Sequence, residues 1–172
     1  MPHARRVVVV GLDGLEPAIV EPLLDAGELP HLARLRQQGG YGRVATTCPA
    51  QTPVAWSTFA TGANPGVHGI FDFLRRDPKT YLPDLGLNRY EQAGRFSAPS
   101  VVNLRRGTPV WQVLSDAGIP SVVLRCPCTY GPDSIRGRML SGMGVPDLRG
   151  GLGTSTSTPM RPTPSRARAR TS

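Results

Sequence analysis

A chain of 172 residues is long enough for one domain with a real core. Apolar content of 39%, only 6% aromatic, with 18 prolines and 20 glycines, points away from a helical bundle and towards a loop-rich α/β protein. Of the net charge of +8, half belongs to the end of the chain: residues 151–172 hold four arginines and no acid, which leaves 16 basic and 12 acidic groups in residues 1–150. That mild excess suits an anionic ligand without requiring one, and nucleic acid is not expected as a partner.

No apolar run approaches the ~18–20 residues of a membrane span, so no membrane partner is expected. Met1-Pro2-His3-Ala4-Arg5-Arg6 leads straight into Val7-Val8-Val9-Val10 without a signal-like apolar region, and the expected location is cytoplasmic. The valine run predicts a strand covered on both faces, as in a parallel sheet. It ends in Gly11-Leu12-Asp13-Gly14, at the carboxyl edge where open α/β sheets place ligands. Asp13 stands where a hard cation ligand would serve, although an Asp before Gly is also an ordinary turn former.

Glu16 to Ala26 reads as helical, with Pro22 able to divide it into two short helices. A second helix is expected from Pro30 until Gly39-Gly40 stops it, with His31 a surface residue on it. Tyr41 to Thr47 predicts a strand. The helix that follows is the best-punctuated stretch of the chain. Thr52-Pro53 opens it, Gly62 closes it and Pro65 lies just beyond, which predicts a helix over Pro53 to Thr61 with Thr52 as N-cap. The Thr52 hydroxyl then sits at the positive helix end. It is either a plain cap or a nucleophile whose alkoxide is favoured by the helix terminus and a metal ion.

Residues 63–69 are expected as a loop that turns the chain back. The stretch from Arg75 to Arg106 has no clear period and reads as an excursion with at most one short hairpin. Its arginines, Arg75, Arg76, Arg89, Arg95, Arg105 and Arg106, include candidate phosphate contacts, with solvated loop positions the commoner reading for any one. Thr108-Pro109 starts a helix through Ala117 that ends at Gly118, and Pro120 to Arg125 predicts a second buried strand. Arg138-Met139-Leu140 predicts another. Trp56 and Trp111 are expected as packing anchors. Cys48, Cys126 and Cys128 have no metal-site spacing and are expected as free, buried or half-buried thiols, which fits a reducing compartment. Beyond Gly153 the apolar period ends and Ser, Thr, Pro and Arg dominate, so residues 154–172 are expected to be a disordered basic tail.

The strand VVVVGLDG, the segment TPVAWSTFATG and the following NPGVHGIFDF, in that order, resemble the type I phosphodiesterase/nucleotide pyrophosphatase family of the alkaline phosphatase superfamily over about residues 6–150. The resemblance implies an α/β fold: a three-layer alkaline-phosphatase-like core with a mostly parallel sheet, incomplete here and confined to residues 1–153. It places the nucleophile at Thr52 and a metal ligand at Asp13, with two divalent ions, expected to be zinc, bound by Asp13, Thr52 and further ligands. It implies that Thr52 attacks phosphorus in line and that water releases the phospho-threonine. His68 falls on a positioning histidine and stays outside the metal set. The nucleotide pyrophosphatase branch carries an asparagine where Phe73 stands, so nucleotide specificity does not carry over. Ser141-Gly142-Met143 resembles a turn of related members.

The family's remaining ligands, Asp and His residues far downstream, have no counterpart after Asp13 and Thr52, and a truncated or frame-shifted chain, weakly active or inactive as written, is the expectation. Two rival readings stand beside it: a phosphomutase or sulfatase reaction on the same scaffold, and a non-catalytic fragment whose basic tail binds anionic partners. Neither G-x-G-x-x-G nor G-x-x-x-x-G-K-[ST] is present, which argues against nucleotide-cofactor folds.

Overall fold

A computed structural model describes residues 6–91, 94, 100–142 and 157–158. The chain divides into two units, residues 1–46 and 47–172, and each is described by itself. The expected tail lies outside the described residues except for Ser157 and Thr158.

The first unit is built on two short helices, α1 (Pro17–Asp25) and α2 (Pro30–Gln38). Pro17 preorganises the first turn of α1, and the Glu16 carboxylate accepts the Ala18 amide at 3.3 Å. Pro22 is carried inside one continuous helix, where its carbonyl still accepts the Ala26 amide at 2.9 Å. Arg36 on α2 donates to Asp25 at the end of α1 at 3.0 Å.

Two expected strands do not form here. Val7–Val10 has no strand structure, and its valines are 66–78% exposed. β-branched residues favour a strand only where a pleated, half-buried surface receives them, and no described strand pairs with this run. Residues 41–47 are likewise irregular, and two side chains at their start are held to α1. The Tyr41 hydroxyl donates to Glu21 Oε1 at 2.9 Å, the Arg43 Nε donates to the same oxygen at 2.7 Å, and Arg43 Nη2 donates to Glu21 Oε2. Hydrogen bonding from Arg43, then from Tyr41, holds the Glu21 carboxyl down at about 2.

The second unit mixes helices with small sheets. Its elements are α3 (Thr52–Thr61), α4 (Pro65–His68), β1 (Leu74–Arg76), β2 (Pro83–Leu85), β3 (Asn88–Glu91), β4 (Ser100–Asn103), α5 (Val110–Asp116), β5 (Ser121–Cys126), β6 (Gly137–Ser141) and β7 (Ser157–Thr158). The excursion after Phe73 contains two antiparallel pairs, β1–β2 and β3–β4, where at most one hairpin was expected. β5 and β6 pair in parallel, Ser121 opposite Gly137 through Leu124 opposite Leu140, and β7 adds antiparallel to β6. Among the described residues this is the one parallel pair: the three-stranded sheet is mixed and the two others are antiparallel, so no mostly parallel sheet is seen there.

The core of this unit lies where α3 and α5 meet the parallel pair: Ala60, Trp111, Cys126, Ile135 and Met139, with Trp56 and Val123 against them. Both tryptophans are packing anchors, as expected. β5 is not buried on both faces. Val123 turns towards the core, while Val122 and Leu124 are 66% and 68% exposed. A strand with helices on one face only should alternate in this way. The alternation then slips by one: the register shifts between Leu124 and Cys126, and the extra residue, exposed Arg125, takes φ 53°. The bulge lies at the carboxyl end of β5. A smaller cluster of Ile70, Leu87 and Cys128, with Leu104 beside it, holds the hairpin region to the loop after α4.

Candidate functional site

α3 is set by its ends, but one residue earlier than expected. Gln51, extended at φ −123° and ψ 143°, is the N-cap, and its carbonyl accepts the amides of Val54 and Ala55 at 3.0 Å each. Thr52 is therefore the first helical residue, half-buried in the opening turn, rather than the cap itself. Proline fits anywhere in the first turn because its missing N–H has no partner to lose there, so Thr-Pro cannot fix the start to a single residue. Pro53, Val54, Ser57 and Ala60 form the buried stripe, and Gly62 ends the helix at φ 65°.

The expected loop after Gly62 contains α4, started by Asn64, whose Oδ1 accepts the Val67 amide at 3.2 Å. α4 delivers His68 into the interior with no exposed surface. The Ile70 amide donates to His68 Nδ1 at 3.1 Å, so Nδ1 is the acceptor nitrogen and Nε2 carries the proton. Nε2 is 3.0 Å from the Thr58 hydroxyl on α3 and donates to it. Burial, and then the charges of Arg105 and Arg106, push the His68 pKa below its ordinary value, which keeps the ring neutral. With one nitrogen accepting and the other protonated, the ring offers no lone pair to a cation, in keeping with a positioning role. The Arg106 amide donates to the His68 carbonyl at 2.9 Å, and its guanidinium donates to the Gly66 carbonyl at 3.3 Å.

The carboxyl ends of β4, β5 and β6 are tied together by two side chains. Thr129 Oγ1 donates to the Cys126 carbonyl at 2.6 Å and accepts the Gly142 amide at 2.9 Å. Asn103 donates to the Cys128 carbonyl at 3.0 Å and accepts the Arg105 amide at 2.9 Å. Burial pushes the Cys126 thiol up to about 11, so it carries no charge near neutral pH. Of the arginines in the excursion, Arg75 pairs with Asp84 at 2.7 Å and Arg89 with Glu91 at 2.7 Å, both at the surface. Arg95 lies outside the described residues. Arg105 alone is enclosed. Its guanidinium carbon is 5.4 Å from the centre of the Trp111 ring, and Asp133 accepts the Trp111 indole N–H at 2.7 Å.

Asp13 lies in the first unit, exposed in a turn with Gly14 at φ 68°, and Thr52 lies in the second. Among the described residues, no three His, Cys, Asp or Glu side chains converge in a way that would hold a metal ion. The described donors therefore do not by themselves fit a two-metal centre. Sequence reading passed over Thr58, Asn103 and Asp133 because their partners are ten or more residues away, and offered Arg105 only as one of six similar arginines. No helix is long and apolar enough to cross a membrane. The family model described as Type I phosphodiesterase / nucleotide pyrophosphatase matches residues 7–159. No curated protein and no solved structure gives a match.

Proposed function

Because the chain belongs to the type I phosphodiesterase/nucleotide pyrophosphatase family, we propose that its chemistry is hydrolysis of a phosphate ester through Thr52. The family acts on phosphate esters and is generally metal-dependent. The observation that carries the reading is the place of Thr52: a half-buried hydroxyl in the opening turn of α3, the end at which the amide dipoles favour negative charge.

In this reaction Thr52 Oγ1 forms a bond to phosphorus as the bond from phosphorus to the leaving oxygen breaks. The hydroxyl proton passes to solvent or to the departing alkoxide. Water then attacks the phospho-threonine: its oxygen bonds to phosphorus as the P–Oγ1 bond breaks, its proton returns to Oγ1, and phosphate leaves, as the monoester when the substrate is a diester. The amide end of α3 stabilises the alkoxide and the charge on the transferring group. His68 serves indirectly, by fixing α4 against Thr58 two turns further along the same helix.

Asp13 and Thr52 are the residues we assign to the family's divalent ions, with zinc the metal to test first. Among the described residues no three His, Cys, Asp or Glu side chains form a metal-holding group, so metal binding and turnover by this chain should both be weak. The same reading makes residues 1–153 the N-terminal part of the catalytic domain, and a cytoplasmic location fits the free thiols.

The test is metal content together with hydrolysis of bis-p-nitrophenyl phosphate at saturating zinc. The expected result is slow hydrolysis above the buffer blank that falls at least ~100-fold in Thr52→Ala and is largely kept in Thr52→Ser. Equal rates in the wild type and Thr52→Ala overturn the assignment.

A further inference from the structure

Arg105 follows β4 and is buried to an unusual degree for its charge. Its side chain is 6% exposed, and Nε and Nη1 are both enclosed with no hydrogen-bond partner among the described residues. The nearest carboxylate does not complete it. Asp133 Oδ2 stands 3.9 Å from Nη2, beyond hydrogen-bond reach, and is already committed to the Trp111 indole. Cys126 and Cys128, the other ionisable groups acting on it, are thiols, and the first is held neutral. Arginine does not shed its proton to escape burial, and the Trp111 face offsets only part of the desolvation. Two enclosed guanidinium donors without acceptors call for an anionic oxygen, because a buried charge left unpaired is among the most destabilising features a fold can hold.

We propose that Arg105 binds a phosphoryl oxyanion at its guanidinium, which has the Trp111 ring and Asp133 as neighbours. Asp133 is the half-exposed wall of this site, its side chain 39% accessible, and the one acidic neighbour of the guanidinium among the described residues. It therefore acts as the competing negative charge that the incoming anion must overcome. His68, which the charges of Arg105 and Arg106 both reach, is neutral and adds no negative charge. The identity of the oxyanion rests on the phosphate-ester reading above. The binding itself does not involve Thr52.

The experiment is a titration of the full-length chain with inorganic phosphate, against chloride at equal ionic strength. It follows the thermal midpoint and tryptophan fluorescence in the wild type, Arg105→Gln, Asp133→Asn and Thr52→Ala. Phosphate should raise the wild-type midpoint saturably and change the fluorescence, and should do the same in Thr52→Ala. Arg105→Gln should lose the response. Asp133→Asn keeps an acceptor for Trp111 while removing the competing charge, so half-saturating phosphate should fall roughly 3–10-fold. A response unchanged in Arg105→Gln, no response above chloride in the wild type, or weaker binding by Asp133→Asn each overturns the proposal. If Arg105→Gln does not fold, the wild-type and Asp133→Asn arms still decide it. Loss of hydrolysis in Thr52→Ala is read separately, so the two assignments fail independently.

Discussion

The imidazole of His68 is fastened at both nitrogens, to the Ile70 amide at 3.1 Å and to the Thr58 hydroxyl at 3.0 Å, and so joins α4 to the middle of α3. Because the buried ring stays neutral, its folded pKa lies below the ordinary value of ~6.5. The unfolded chain then binds more protons than the folded one as pH falls through that ordinary value. This contribution to stability is present above pH ~6.5 and is lost as pH falls towards the folded pKa. Thermal midpoints measured from pH 8 to 5 should fall on the acid side, more steeply in the wild type than in His68→Gln. At neutral pH, His68→Ala should cost about 2–4 kcal/mol by denaturant unfolding, since it leaves a buried hole and breaks both bonds.

Glu21 provides an acid-range counterpart in the first unit. Its carboxyl is held at about 2 by Arg43 and Tyr41, so the charged form is favoured in the folded state. The linked stability is present above the ordinary carboxylate range and disappears as pH falls through about 2. In Arg43→Ala, carboxyl titration by NMR should show the Glu21 midpoint rising towards the ordinary range. A midpoint that stays where it was would mean that Arg43 does not hold it.

Two glycines should respond very differently to alanine. Gly62 takes φ 65° with nothing within 4 Å of an added Cβ, so Gly62→Ala carries only left-handed backbone strain, about 1 kcal/mol. Gly137 takes φ 148° opposite Ser121, and a Cβ there would overlap the Ser121 carbonyl oxygen. Gly137→Ala should force the parallel pair apart, with a loss of several-fold the Gly62 value or failure to fold. Comparing the two unfolding midpoints checks the ranking.

The three thiols should separate by reactivity. Cys48 is exposed, whereas Cys126 and Cys128 are buried, and Cys126 is pushed up to about 11. With a disulfide reagent at pH 8, one thiol should react quickly in the folded chain and all three after denaturation, because the thiolate is the reacting form. Rapid reaction of Cys126 in the folded chain would contradict the burial of the strand tip.

What could be read from the residues was mostly punctuation. Pro30, Gly39-Gly40, Thr52-Pro53, Gly62, Thr108-Pro109 and Gly118 mark helix ends through local backbone rules, and α2, α3 and α5 start and stop within a residue or two of those marks. The cap of α3 was misplaced by one because Thr and Gln can both precede a proline-bearing first turn. The strands fared worse. Val7–Val10 has the right composition but no partner among the described strands, and strand formation depends on a neighbour that local sequence does not name. The site contacts were hidden for a related reason: Trp111 and Asp133 are 22 residues apart and Asn103 and Cys128 are 25 apart, and nothing periodic links them.

The single extra residue in β5 decides what the strand tip shows to each side. Side chains alternate along a strand, so without the bulge the position after Val123 on the inner face would be Arg125, and a guanidinium would be driven into the Trp111 cluster. With it, Cys126 fills that place and Arg125 is turned out to water. The tip should thus tolerate many different amino acids at position 125, yet not the deletion of the position itself.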